Sequence, residues 1–115
     1  MHFREIQEKL HKFDEDRGWN KFPASLVFAH LIEELGEISR HITVKEGYKV
    51  IGLGHKAPEN EELGREFAQA FNLFVQIANT FNIDLESVVL TELDIMEKRF
   101  SAEKWSHHMN KRDSQ

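Results

Sequence analysis

Apolar residues recur along most of this chain at intervals of three and four, the spacing that gathers them on one side of an α-helix. Phe3, Ile6, Leu10 and Phe13 form a first stripe and predict a helix from Phe3 to about Asp16, ended by Gly18. Val27, Leu31, Leu35, Ile38 and Ile42 predict a second from about Ala24 to Val44, with Pro23 suited to its entrance. Leu63, Phe67, Ala70, Phe71, Phe74 and Ala78 mark a third from Glu59 to about Phe81, closed by Asn82. Asp84 can cap a fourth, in which Leu85, Val88, Val89, Leu93 and Met96 would face inward. Glu86 in its first turn and Lys98 and Arg99 in its last match the helix macrodipole at both ends.

Two stretches interrupt the pattern. Gly18 to Pro23 is a short connector whose aromatics, Trp19 and Phe22, have no place in a helical stripe. Lys45 to Pro58 contains three glycines and a proline and reads as a long loop, with only Tyr48 to Leu53 able to extend as a strand. Ser101 to Gln115 is polar and aperiodic apart from Trp105, which predicts a frayed tail. The expectation is therefore an all-α, four-helix bundle-like domain over residues 1–100, its helices joined by one long loop, followed by a polar C-terminal tail over 101–115. Short helical pairs bury more apolar surface by association, so a homodimer or homotetramer is expected.

Composition narrows the partners. The 115 residues fit one domain, and nine Phe against one Tyr assign most aromatic mass to packing. A net charge of −5 argues against broad contact with a nucleic acid polymer, which needs a basic surface to displace counterions. The absence of cysteine removes disulfides and thiolate metal sites. No run approaches the ~18 apolar residues of a membrane span, and the opening M-H-F-R-E lacks an apolar signal region. A cytoplasmic protein without membrane contact is expected.

The candidate chemistry lies in carboxylates. Glu33, Glu34 and Glu37 in L-I-E-E-L-G-E-I share one helix, and Glu66 in E-L-G-R-E-F-A-Q lies on the next. Residues three and four apart share a helix face, so Glu34 and Glu37 can point the same way, with Glu33 joined to that face through Glu37. Like charges repel there, and such a cluster beside an apolar stripe needs either open solvent or a cation. Oxygen ligands of this kind favour Mg²⁺, or Mn²⁺, over zinc. The alternative is a solvated glutamate face with Lys and Arg neighbours. Trp19 and Phe22 can stack on a base or pack their connector against the second helix. His30 precedes Glu34 by four, but a di-iron site needs Glu-x-x-His on two helices and the third helix has no His.

With Glu33-Glu34-x-x-Glu37 on one helix and Glu66 on the next, the pattern resembles the all-α nucleoside triphosphate pyrophosphatases of the MazG and dUTPase-like superfamily. The resemblance runs from about Phe3 to Phe100 and includes R-G-W-N-K-F-P, N-I-D-L-E at Asn82 to Glu86 and E-K-R-F at Glu97 to Phe100. It implies cleavage of a nucleoside or deoxynucleoside triphosphate to the monophosphate and pyrophosphate. It also implies Glu34, Glu37, Glu66 and Gln69 as Mg²⁺ positions, with Glu33 and Glu37 catalytic. Lys98 and Arg99 match basic positions of the family and would bind substrate, as Trp19 and Phe22 would by stacking; Lys45 and Lys49 are further candidate phosphate partners that match no position of the family. Three positions depart from the pattern: Gln69 stands where the family has Asp, and Glu92 and Met96 where it often has Lys and Asn. An amide carbonyl can coordinate Mg²⁺ but brings no charge and takes no proton from water. A non-catalytic relative, a nucleotide- or metal-binding or protein-interaction module with a degenerate site, is the alternative.

Overall fold

The computed structural model describes residues 1–58 and 62–113. Among them the architecture is all-helical: α1 Phe3–Asp16, a 3-10 turn Trp19–Lys21, α2 Ala24–Lys45, α3 Leu63–Thr80, α4 Leu85–Arg99 and α5 Ala102–Asp113. The expected start of the third helix at Glu59 lies outside the described residues. Within the long loop, Ile51 and His55 form an isolated bridge, so the segment considered for a strand makes a tight turn instead. No helix among the described residues is long and apolar enough to cross a membrane.

The chain divides into two compact units, Met1–Ile83 and Asp84–Gln115. In the first unit α2 packs along α3 and α1 packs on α3. Gly18, at φ +72°, lets the chain reverse out of α1 into the Trp19 turn, a conformation that costs a residue with a Cβ far more. Asn82, at φ +55°, closes α3 as expected, and the terminus is a Schellman motif. The Ile83 N–H donates to the Ala78 carbonyl at 2.9 Å and the Asn82 N–H to that of Asn79 at 3.1 Å. Gln7 of α1 then donates its amide to Asn79 Oδ1 at 2.9 Å and to the Ile83 carbonyl at 2.7 Å, tying the first helix to the end of the third.

On α1 and α3 large residues of the apolar stripe stay exposed while a neighbouring position is buried, whereas on α2 the stripe residues Val27, Leu31 and Ile38 are themselves buried. Leu31, Ile38 and Ala70 form the core cluster, with Leu63, Leu73 and Ile77 packed against it. On α3 the inward face is Glu66, Ala70, Leu73 and Ile77, whereas Phe67, Phe71 and Phe74 are exposed. One residue further along a helix is a rotation of about 100°. On α2, Leu31, Ile38 and His41 are buried while Leu35 and Ile42 are exposed, and on α1, Gln7 and Asp14 are buried while Ile6 and Phe13 are exposed. Polar groups thus occupy positions between the helices that periodicity alone assigned to apolar side chains.

In the second unit α4 follows Asp84 at its N-cap, with Lys98 and Arg99 in the last turn as expected. Of its stripe only Leu85 is buried; Val88, Val89, Leu93 and Met96 are exposed. The expected frayed tail is instead helical. Ser101 caps α5 by accepting the Lys104 N–H on Oγ at 3.2 Å, Trp105 packs edge-on against His108, and Lys111 and Arg112 sit in the last turn. Capping and charge placement sustain this helix without a buried apolar face.

Candidate functional site

Two of the predicted carboxylates meet between α2 and α3. Glu66 is 2% exposed, and Glu34 holds its carboxyl at hydrogen-bonding range of it. His30, one turn back on α2, places Nε2 at 3.4 Å from Glu34 Oε1. Burial pushes the Glu34 carboxyl above its ordinary range, the neighbouring Glu66 carboxyl adds to the shift, and His30 opposes it. Glu37 lies a turn further along α2, where its Oε1 accepts from Arg40 at 3.1 Å. Its other oxygen, Glu37 Oε2, is buried without a hydrogen-bond partner, as is Glu66 Oε2. Two carboxyl groups at this range need a shared proton or a cation to offset their repulsion.

The oxygen donors and the two unpartnered carboxylate oxygens fit the chemistry of a hard divalent cation. Among the described residues, however, no three His, Asp or Glu side chains come together closely enough to hold a metal ion. Glu34 and Glu66 are adjacent, while Glu37 is turned to Arg40 and Glu33 is exposed.

A cavity of about 720 Å³ opens beside this pair, entirely within the first unit. Glu34 and Gln69 line it, and so do Trp19 and Phe22, the two connector aromatics that helical periodicity did not account for. Phe13 meets Trp19 edge-on at 5.7 Å between ring centroids. Gln76, 8% exposed, donates to the Trp19 carbonyl at 3.0 Å and so anchors the connector to α3. Four predicted residues therefore converge on one cleft from the connector, α2 and α3. Lys98 and Arg99 belong to the second unit, where Lys98 pairs with Asp94 at 3.0 Å and the Arg99 guanidinium lies over the Phe100 ring.

Sequence reading overlooked Asp14, Asn72 and Gln76, which also line the cleft, and His41, whose buried Nε2 has no partner. Asp14 was hidden because it stands beside Phe13 of the apolar stripe. A polar residue interleaved at helical spacing, as in Gln7 and Asp14 seven apart, was the available signal. A second, smaller depression of about 270 Å³ gathers Arg40, Lys49, His55 and Lys56 around Val44 and Gly54, so Lys49 sits in a basic setting.

No protein-family model matches this chain, and no solved structure matches it. It is similar to an uncharacterized protein, YvdC, of Bacillus subtilis strain 168. The two are 24% identical over 107 residues, an alignment covering 87% of this chain and 97% of YvdC. Full-length similarity to a protein of nearly the same span is compatible with one shared architecture, and it assigns no activity.

Proposed function

We propose that the protein is a Mg²⁺-dependent pyrophosphohydrolase of a nucleoside or deoxynucleoside triphosphate, releasing the monophosphate and pyrophosphate. The observation that supports this reading is the convergence of Trp19, Phe22, Glu34 and Gln69 on one cleft, with Glu66 buried against Glu34. An aromatic wall beside an acidic pair suits a flat ring joined to a phosphate chain that arrives with a metal ion. Glu34 and Glu66 are the residues that would hold the cation, with Gln69 able to add an amide oxygen, and Glu37 would join them only by leaving Arg40. When bound, Mg²⁺, or Mn²⁺, supplies charge neutralisation at phosphoryl oxygens and acidifies water.

The protein's own groups do the rest. Trp19 and Phe22 stack on the base, and the Gln76 bond to the Trp19 carbonyl keeps that platform in place. Glu33, exposed on α2, is the residue that would orient water and take its proton. Lys49 and Arg40 face the second depression and offer positive charge to phosphate oxygens, with Lys45 nearby on the last turn of α2. Such positioning and charge stabilisation dominate phosphoryl chemistry.

Pyrophosphate release from a panel of ribo- and deoxyribonucleoside triphosphates, with Mg²⁺ or Mn²⁺, tests the proposal. Turnover abolished by EDTA, and lost in Glu37→Gln at unchanged helix content, is the expected result; a fully active Glu37→Gln protein would remove the proposed site.

A second reading is a non-catalytic nucleotide- or metal-binding or protein-interaction module. The separation of Glu37 from the Glu34 and Glu66 pair, and the amide at Gln69, favour it. A large gain of turnover in Gln69→Asp would identify a crippled site, whereas no gain in an active protein would identify a working variant.

A further inference from the structure

The cleft holds a second acid whose role the pyrophosphatase reading leaves open. Asp14 is 8% exposed on the inner side of α1, and it lines the cavity with the aromatic connector. Its two charged neighbours are engaged elsewhere. Arg17 donates to the Phe13 carbonyl at 3.0 Å and stacks its guanidinium 3.5 Å from the centre of the Phe13 ring, and His11 lies 3.2 Å from Glu15. No described side chain donates a hydrogen bond to the Asp14 carboxyl. Burial accordingly pushes this carboxyl above its usual range, against the weaker pull of His11 and Arg17.

A carboxyl that lines a cleft and has no protein donor can take its hydrogen-bond partner from the ligand. The surroundings define what the ligand presents there. Phe13, Trp19 and Phe22 supply flat apolar surface for a ring, and Asn72 adds an adaptable amide. A carboxyl beside that ring accepts N–H bonds and is repelled by carbonyl oxygens. Amino-bearing bases offer a donor at the ring edge, whereas the corresponding edge of uracil or thymine has carbonyls on both sides of its single N–H.

We propose that Asp14 is a specificity-determining residue whose carboxyl accepts an N–H bond from the exocyclic amino group of the base, so that the cleft selects amino-bearing bases over uracil and thymine. This rests on the reading of the cleft as a nucleotide site, and it adds which bases enter. Asp14 is a positioning group for the base and takes no part in the phosphoryl chemistry.

The test compares deoxynucleoside monophosphates by calorimetry in the absence of metal, using wild type, Asp14→Asn and Asp14→Ala. Helix content and melting temperature are recorded for each. The wild type is expected to bind dCMP, dAMP or dGMP about tenfold or more tightly than dUMP and dTMP. Asp14→Asn, whose amide both donates and accepts, narrows or inverts that ratio, and Asp14→Ala weakens the preferred base without strengthening the others. Equal wild-type affinity for all bases, no binding of any, or an unchanged ratio in both folded variants would overturn the assignment. Selective monophosphate binding without triphosphate turnover would overturn the enzymatic reading and leave the Asp14 assignment standing. Metal-dependent turnover with no base preference would do the reverse.

Discussion

Glu34 combines three constraints on one side chain: removal from solvent, a second carboxyl opposite, and an imidazole one turn away. Its carboxyl titrates above the ordinary value of 4.5, with burial as the leading cause. The unfolded chain therefore releases this proton at lower pH than the folded protein. The stabilising contribution is fully present below the unfolded value and is lost as pH rises through the folded one. Asp14, raised chiefly by burial, acts in the same direction. In metal-free buffer, Glu34→Gln should match the wild type near pH 4 and melt at higher temperature than it at pH 7, because the amide cannot acquire charge beside Glu66. Adding Mg²⁺ should raise the wild-type melting temperature at pH 7 and leave the variant nearly unmoved. Parallel melting profiles from pH 4 to 8 would contradict the electrostatic account, and equal Mg²⁺ responses would contradict the metal assignment.

The elements owe their ends to local chemistry and their orientation to contacts across the unit. α3 shows both. Asn82 closes it in a left-handed conformation that its sequence position already suggested, but the Gln7 amide that grips the closed end comes from 76 residues earlier, on α1. Gln7 is 6% exposed, so Gln7→Ala would strand the Ile83 carbonyl and Asn79 Oδ1. The expected loss is about 1–3 kcal/mol in urea denaturation. A change under about 0.5 kcal/mol would mean that water replaces the amide without penalty. α5 gives the opposite lesson. Aperiodicity pointed to a frayed tail, yet Ser101 as a cap and Lys111 and Arg112 at the far end sustain a helix that buries nothing. Periodicity detects helices that bury a stripe, and α5 has none to detect.

The whole molecule carries apolar surface outside and polar groups inside its first unit. Phe28, Ile32 and Leu35 on α2, and Phe67, Phe71 and Phe74 on α3, are exposed at spacings that form two stripes. Exposed stripes of this size call for a covering surface. We propose that a second copy of the chain provides it, giving a homodimer or homotetramer. Light scattering coupled to gel filtration should show a species above 13.5 kDa at micromolar concentration, and Phe67→Ser with Phe74→Ser should shift it to the monomer. A monomeric wild type would end this proposal. By itself the sequence determined the helices as far as α4, the connector, the long loop and two of the carboxylates that meet, because caps, glycines and three-to-four spacing act within a turn or two. On α1 and α3 only the tertiary structure decided which side chains turn inward, whereas on α2 the stripe residues Val27, Leu31 and Ile38 are themselves buried. Small residues such as Ala70 let α2 and α3 approach, and a shift of one residue, back on α3 and forward on α1, put Glu66 in place of Phe67 and Asp14 in place of Phe13 at the interior. That choice depends on how several helices fit together at once, which no single stripe encodes.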